Sequence, residues 1–64
     1  MFLYRNKKTG NIYRKLAIGV DHTNERDGTL VVIYCPDDNE HTIFVREENE
    51  FEEKFEMLPI EVKP

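Results

Sequence analysis

A single cysteine, Cys35, and no tryptophan stand among the 64 residues of this chain. One thiol cannot close an intramolecular disulfide, so the fold must hold without that staple, and a lone cysteine suits a reducing compartment. Glycine is scarce and scattered singly at positions 10, 19 and 28, which excludes a glycine-rich loop that cradles phosphate. Long apolar runs are missing as well. The longest, Leu30 to Cys35, falls far below the roughly 18 residues of a membrane span, and Met1 to Lys8 meets charge long before a signal peptide's apolar core of about 7–15 residues is complete. These absences lead us to expect a soluble, cytoplasmic protein without membrane association.

What is present bounds the answer further. The chain is long enough for one domain, residues 1–64, and a domain of that size buries only about 60% of the surface its unfolded form exposes. Scaffolds this small rarely reach more than roughly 3–5 kcal/mol without disulfides, a metal or dense packing. The net charge is −4, and its distribution is polar. Arg5, Lys7, Lys8, Arg14 and Lys15 fall within residues 1–16 with no acid, while Glu47, Glu48, Glu50, Glu52, Glu53 and Glu56 crowd residues 47–56 around Lys54. Such asymmetry can steer an encounter or simply keep a small domain wet.

Turn signals recur at short spacing, as in a small β domain. Phe2 to Arg5 reads as a first strand, turned at Gly10-Asn11, two residues that tolerate positive φ. Ile12 to Val20 alternates, with Ile12, Leu16, Ile18 and Val20 on one side and Tyr13, Lys15 and Ala17 on the other. Arg14 falls on the apolar side, which calls for a bulge or an arginine that reaches past the edge. Asp27-Gly28 closes a polar loop. Thr29 to Cys35 is dense in β-branched residues and apolar from Leu30 on, the pattern of a central strand covered on both faces. After a Pro36 to Asn39 turn, Thr42 to Arg46 reads as a short strand with Ile43 and Val45 facing one way.

From Glu47 the period changes. Phe51, Phe55 and Leu58 at i, i+4 and i+7 make a helical stripe, Asn49 and Glu52 a variant capping box, and Pro59 the stop. The expectation is a helix of about two to three turns whose phenylalanines plug the β domain, with Ile60 to Val62 adding an edge strand. Four to five short antiparallel strands with one short C-terminal helix make a mostly-β fold, and we expect a small SH3-like barrel; a flat open sheet is the alternative.

Catalytic chemistry is hard to assemble from these residues. Cys35, His22 and His41 lack the spacing of a zinc site, which wants four ligands. Cys35 and His41 flank one turn with no third group to orient them and no recognisable oxyanion hole. A domain this size has little room for a cleft of about 300 Å³. We therefore expect no enzyme, no cofactor and no metal. Nucleic-acid binding has more in its favour, because Tyr4, Arg5, Lys7, Lys8, Tyr13, Arg14 and Lys15 interleave rings with cations. An isoelectric point near 5.0 weighs against a dedicated binder. The opposite reading is an acidic helix that imitates a phosphate backbone.

The succession Tyr4-Arg5, Thr9-Gly10-Asn11-Ile12-Tyr13, Leu16, His22-Thr23, Leu30-Val31-Val32-Ile33-Tyr34, Phe44-Val45-Arg46 and Phe51 to Phe55 resembles a family of small bacterial and bacteriophage domains of the DUF1653 type. The likeness runs from residue 2 to about residue 58 and is carried by short structural motifs. Family members commonly have proline after the Val-Arg pair, where Glu47 stands here, so the strand-to-helix junction can differ. The resemblance implies an SH3-like β fold, a prokaryotic or phage origin and no reaction to transfer.

These threads join in the expectation of a non-enzymatic protein-interaction module that acts on a partner protein, such as one of a phage host. Its candidate contact residues are Tyr4, Arg5, Lys7, Lys8 and Tyr13 of the first hairpin, and Glu48, Glu52 and Glu56 of the acidic helix face. Pairing of two copies through Phe2 to Arg5 or Ile60 to Val62 would give a homodimer.

Overall fold

The computed structural model describes residues 2–23, 25 and 27–61. Five strands and one helix follow in the order β1 (Phe2–Asn6), β2 (Ile12–Asp21), β3 (Thr29–Pro36), β4 (Phe44–Glu47), α1 (Glu48–Lys54) and β5 (Phe55–Glu61). All strands pair antiparallel in one sheet of order β4-β3-β2-β1-β5. The sheet is open, with β4 and β5 as its two edges.

Local chemistry sets the connections. At the β1–β2 turn the Asn6 side-chain carbonyl accepts the N–H groups of Lys8 and Thr9 at 2.9 and 3.0 Å, and Gly10 takes φ +79°, a conformation that costs glycine little. Asn11 does not share it, since no described residue other than glycine has positive φ. Gly28 closes the β2–β3 loop at φ +92° and donates its N–H to the Asp21 carbonyl at 3.1 Å.

The arginine that interrupted the apolar side of β2 is resolved by a bulge. Lys15 sits across from Tyr34 and Ala17 across from Ile33, so Leu16 is the extra residue. An inserted residue switches the face of everything after it. Tyr13 and Lys15 therefore share a face with Ile18 and Val20, and Arg14 lies on the other face, across from Cys35.

The core is aromatic and sits on the Tyr13 face. Tyr4 pairs with Tyr13, and Tyr34 with Phe44, so four rings line up on one side of the sheet. α1 lays Phe51 over them, with ring centroids 5.2 Å from Tyr4 and 5.1 Å from Tyr34. Phe55 stacks on Phe51 at 4.4 Å and meets Tyr13 and Tyr34 edge-on at 5.3 Å. Val32, Tyr34, Phe51 and Phe55 are buried in this cluster, and Tyr4 and Tyr13 pack against it. Burying each phenylalanine contributes about 1.5–3 kcal/mol, with roughly 0.5–1.5 kcal/mol more for each well-placed ring pair.

Several expected boundaries shift. The helix runs only from Glu48 to Lys54, preceded by Glu47 rather than capped by Asn49, and no side chain caps it. Phe55 turns to φ −122°, ψ 153° and starts β5, because pairing Asn6 with Phe55 and Arg5 with Glu56 satisfies the free side of β1. Pro59 lies within β5 instead of stopping a helix. Tyr4 pairs with Met57 and Phe2 with Glu61, so the register slips around Pro59, where an edge strand tolerates a residue without an N–H. Val62 lies outside the described residues. In β4 it is Phe44, across from Tyr34, that joins the ring cluster, although its outer edge stays exposed, as Ile43 and Val45 are. β3 is not covered on both faces along its length: Val32, Tyr34 and Cys35 are buried, but Leu30 is exposed.

Candidate interaction surfaces

The residues singled out in the sequence do not converge on one place. Tyr4 and Tyr13 are half-buried and belong to the ring cluster, with Lys15 Nζ 5.7 Å from the centre of the Tyr4 ring. Arg5 lies on the opposite face, where its Nε donates to Glu56 Oε1 at 2.7 Å and its Nη2 to the same oxygen. Glu56 therefore belongs to β5 and not to an acidic helix face; only Glu48, half-buried, and Glu52, exposed, stand on α1. The acidic stripe of three is broken by the early end of the helix. Lys7 and Lys8 project from the β1–β2 turn, exposed.

The arginines are tied into the fold. Arg14 Nε donates to Asp37 Oδ1 at 2.8 Å, and this bond raises the guanidinium pKa above its ordinary value. Arg46 Nε donates to the Tyr34 hydroxyl at 3.2 Å, and its Nη1 to Glu50 Oε1 at 2.6 Å. Its guanidinium lies 5.7 Å from the centre of the Phe55 ring. The Tyr34 bond, with Glu50 beside it, raises the Arg46 pKa as well. Any stability these shifts carry is complete below the ordinary arginine pKa and is lost only above it, so neither group is a pH switch near neutrality.

Cys35 is fully buried, whereas His41 is exposed on the β3–β4 loop. Open concavities do reach the size of a ligand cleft, contrary to the expectation from chain length. One of about 520 Å³ runs between the β1–β2 turn and the β3–β4 loop beside Tyr13, Pro36 and Phe44; another of about 350 Å³ is lined by Arg14, Asp37 to Glu40 and His41. Both form between loops at the surface rather than inside the sheet. Among the described residues no group of three or more His, Cys, Asp or Glu side chains is placed to hold a metal ion, and no helix is long and apolar enough to cross a membrane.

One surface was not visible in the residue pattern. β1 reaches only as far as Arg14 of β2, and β4 only as far as Val31 of β3. Beyond Gly19 and Val31 only Val20-Asp21 and Thr29-Leu30 continue as a two-stranded ribbon among the described residues, and Ile18 paired with Val32 lies at its base, where β4 still flanks β3. Pairing of Ile18 with Val32 and of Val20 with Leu30 puts all four on one face. Val32 is covered, but Ile18, Val20 and Leu30 are 44%, 58% and 44% exposed. Where β1 stops, Phe2, Tyr4, Lys15, Leu16, Ala17 and Ile18 line a groove of about 270 Å³ that runs into this face. The signal in the sequence was the alternation of β2, but the bulge at Leu16 hides which residues end up beside the core and which beyond it.

Together these features describe a small mostly-β domain: a five-stranded antiparallel sheet, one short helix, an aromatic core and an apolar ribbon left bare. No family model, curated protein or solved structure matches the chain.

Proposed function

We propose that the chain is a non-enzymatic protein-interaction module of SH3-like architecture that docks a partner protein through the apolar face of the β2–β3 ribbon. One observation carries this reading. Among the described residues five hydrophobic ones are buried, while ten large ones are exposed, among them Phe2, Leu16, Ile18, Val20 and Leu30 around the ribbon and its groove. Scattered exposed apolar residues are ordinary, but a contiguous apolar face on a protruding ribbon is what a binding surface looks like before it is covered. The strand order β4-β3-β2-β1-β5, the long bulged β2 and the helical segment between β4 and β5 favour an SH3-like fold left unclosed. The likeness to DUF1653-type domains supports a prokaryotic or phage origin, and the lone thiol of Cys35 favours a cytoplasmic setting.

The test places the photo-crosslinker p-benzoylphenylalanine at Val20 or at Leu30 and irradiates the protein in bacterial lysate. Both positions are expected to yield the same discrete adduct, identified by mass spectrometry and lost when Ile18→Thr is added. A probe at Asp38, far from the ribbon, serves as control. No discrete adduct from either ribbon position, or the same adducts from Asp38, would overturn the proposal.

A further inference from the structure

The opposite end of β2 carries a surface of different chemistry. Lys7, Lys8 and Thr9 of the β1–β2 turn meet Arg46, Glu53 and Lys54 around an open concavity of about 340 Å³. The two segments are joined through their backbones, since the Lys7 N–H donates to the Lys54 carbonyl at 3.0 Å. Sequence distance hid this meeting: Lys54 belongs to the acidic stretch, and the early end of α1 returns it to the basic turn.

The arginines and the lysines behave differently. Arg5, Arg14 and Arg46 each have a carboxylate partner. Lys7, Lys8 and Lys54 have none among the described residues, although the chain holds 13 acids against nine Lys and Arg residues. Of the residues around the concavity only Glu53 bears a carboxylate. Like charges gathered at a concave surface repel one another and focus a positive potential into it. We infer that this concavity is an anion site that takes a phosphoryl group, held by the ammonium groups of Lys7, Lys8 and Lys54.

The turn explains the mode of recognition. The N–H groups of Lys8 and Thr9 are taken by the Asn6 side chain, so the backbone has no nest to offer and the lysine side chains supply the charge. Thr9 Oγ1 accepts the Asn11 N–H at 3.2 Å, which leaves its hydroxyl proton to donate to the anion. Lysine ammoniums act as mobile point charges rather than as a fixed fork. Such a site reads the charge of a phosphoryl group more than its attachment, so the group can come from a free phosphorylated compound or from a nucleic-acid strand. It lies away from the ribbon, and its fate is independent of that proposal.

The test is a titration of the ¹⁵N-labelled full chain at low ionic strength, once with pyrophosphate and once with a single-stranded oligothymidylate. The amides of Lys7, Lys8, Thr9 and Lys54 are expected to shift together and saturate. Lys8→Gln and Lys54→Gln should each weaken binding about threefold, the size of a screened surface charge, while Lys15→Gln leaves it unchanged; the spectra themselves report that each variant is folded. Tighter binding of pyrophosphate assigns the site to a free phosphorylated compound. Tighter binding of the oligonucleotide, with a log–log salt slope near about −2 that loses about 0.7 per lysine removed, assigns it to a strand. Unmoved amides with both probes, or unchanged binding in the Lys8→Gln/Lys54→Gln double variant, would overturn the inference.

Discussion

Phe51 holds the helix to the sheet almost alone. It is the one buried residue of α1 and is 1% exposed, with rings of Tyr4, Tyr34 and Phe55 against it. Truncating a buried phenylalanine to alanine costs roughly 3–5 kcal/mol, which equals the whole stability of about 3–5 kcal/mol available to a scaffold of this size. Phe51→Ala should therefore show no cooperative thermal transition by circular dichroism at 25 °C and above. A sigmoidal melt within a few degrees of the parent's would mean that the ring cluster is not the core. The pairing of phenylalanines at positions 51 and 55 was legible in the sequence, because apolar residues four apart among acids have one place to go. Their partners were less so. Tyr4 and Tyr13 looked like exposed contact residues, and only the register of β1 against β2 places both rings under the helix.

Competition between two periodicities decides the C-terminal third of the chain. The apolar stripe Phe51, Phe55 and Leu58 favours a helix through Leu58, but the helix stops at Lys54 and Phe55 begins a strand. A seven-residue helix has little cooperative stability of its own, whereas the free side of β1 presents a row of backbone groups that a neighbouring strand can pair. Strand pairing wins, and Phe55 still reaches the core because it is the first residue past the helix. Local pattern could not show this, since the partner strand lies about fifty residues away in the chain. The junction into the helix offers a test. Glu47 has φ −56° and ψ 139°, within the range that proline fixes, and it ends the edge strand β4. Glu47→Pro is expected to raise stability by about 0.4–1 kcal/mol by restricting the unfolded chain, read as a higher urea midpoint with an unchanged slope. A lowered midpoint would show that the Glu47 N–H is bonded in the β3–β4 ladder.

Across the whole molecule the apolar residues divide into two populations, and the division was not readable from hydropathy. Leu30 to Cys35 looked like a strand covered on both faces, yet Leu30 at its start is exposed, because pairing with β4 reaches only as far as Val31 and the buried ring cluster takes in Val32 but not Leu30. β-branched residues suit a strand whether or not anything covers them, so Ile18, Val20 and Leu30 carried no mark of their exposure. These side chains are bare in the isolated domain, and in the proposed docking only another molecule covers them. Equilibrium urea unfolding of the Ile18→Thr/Val20→Thr double variant tests that most directly, since threonine keeps the branched shape that the strand favours. The predicted result is a loss of less than about 1 kcal/mol, the range of surface substitutions. A loss of more than about 3 kcal/mol, the cost of disturbing a packed core, would contradict the account by showing that the ribbon face is already buried in the fold.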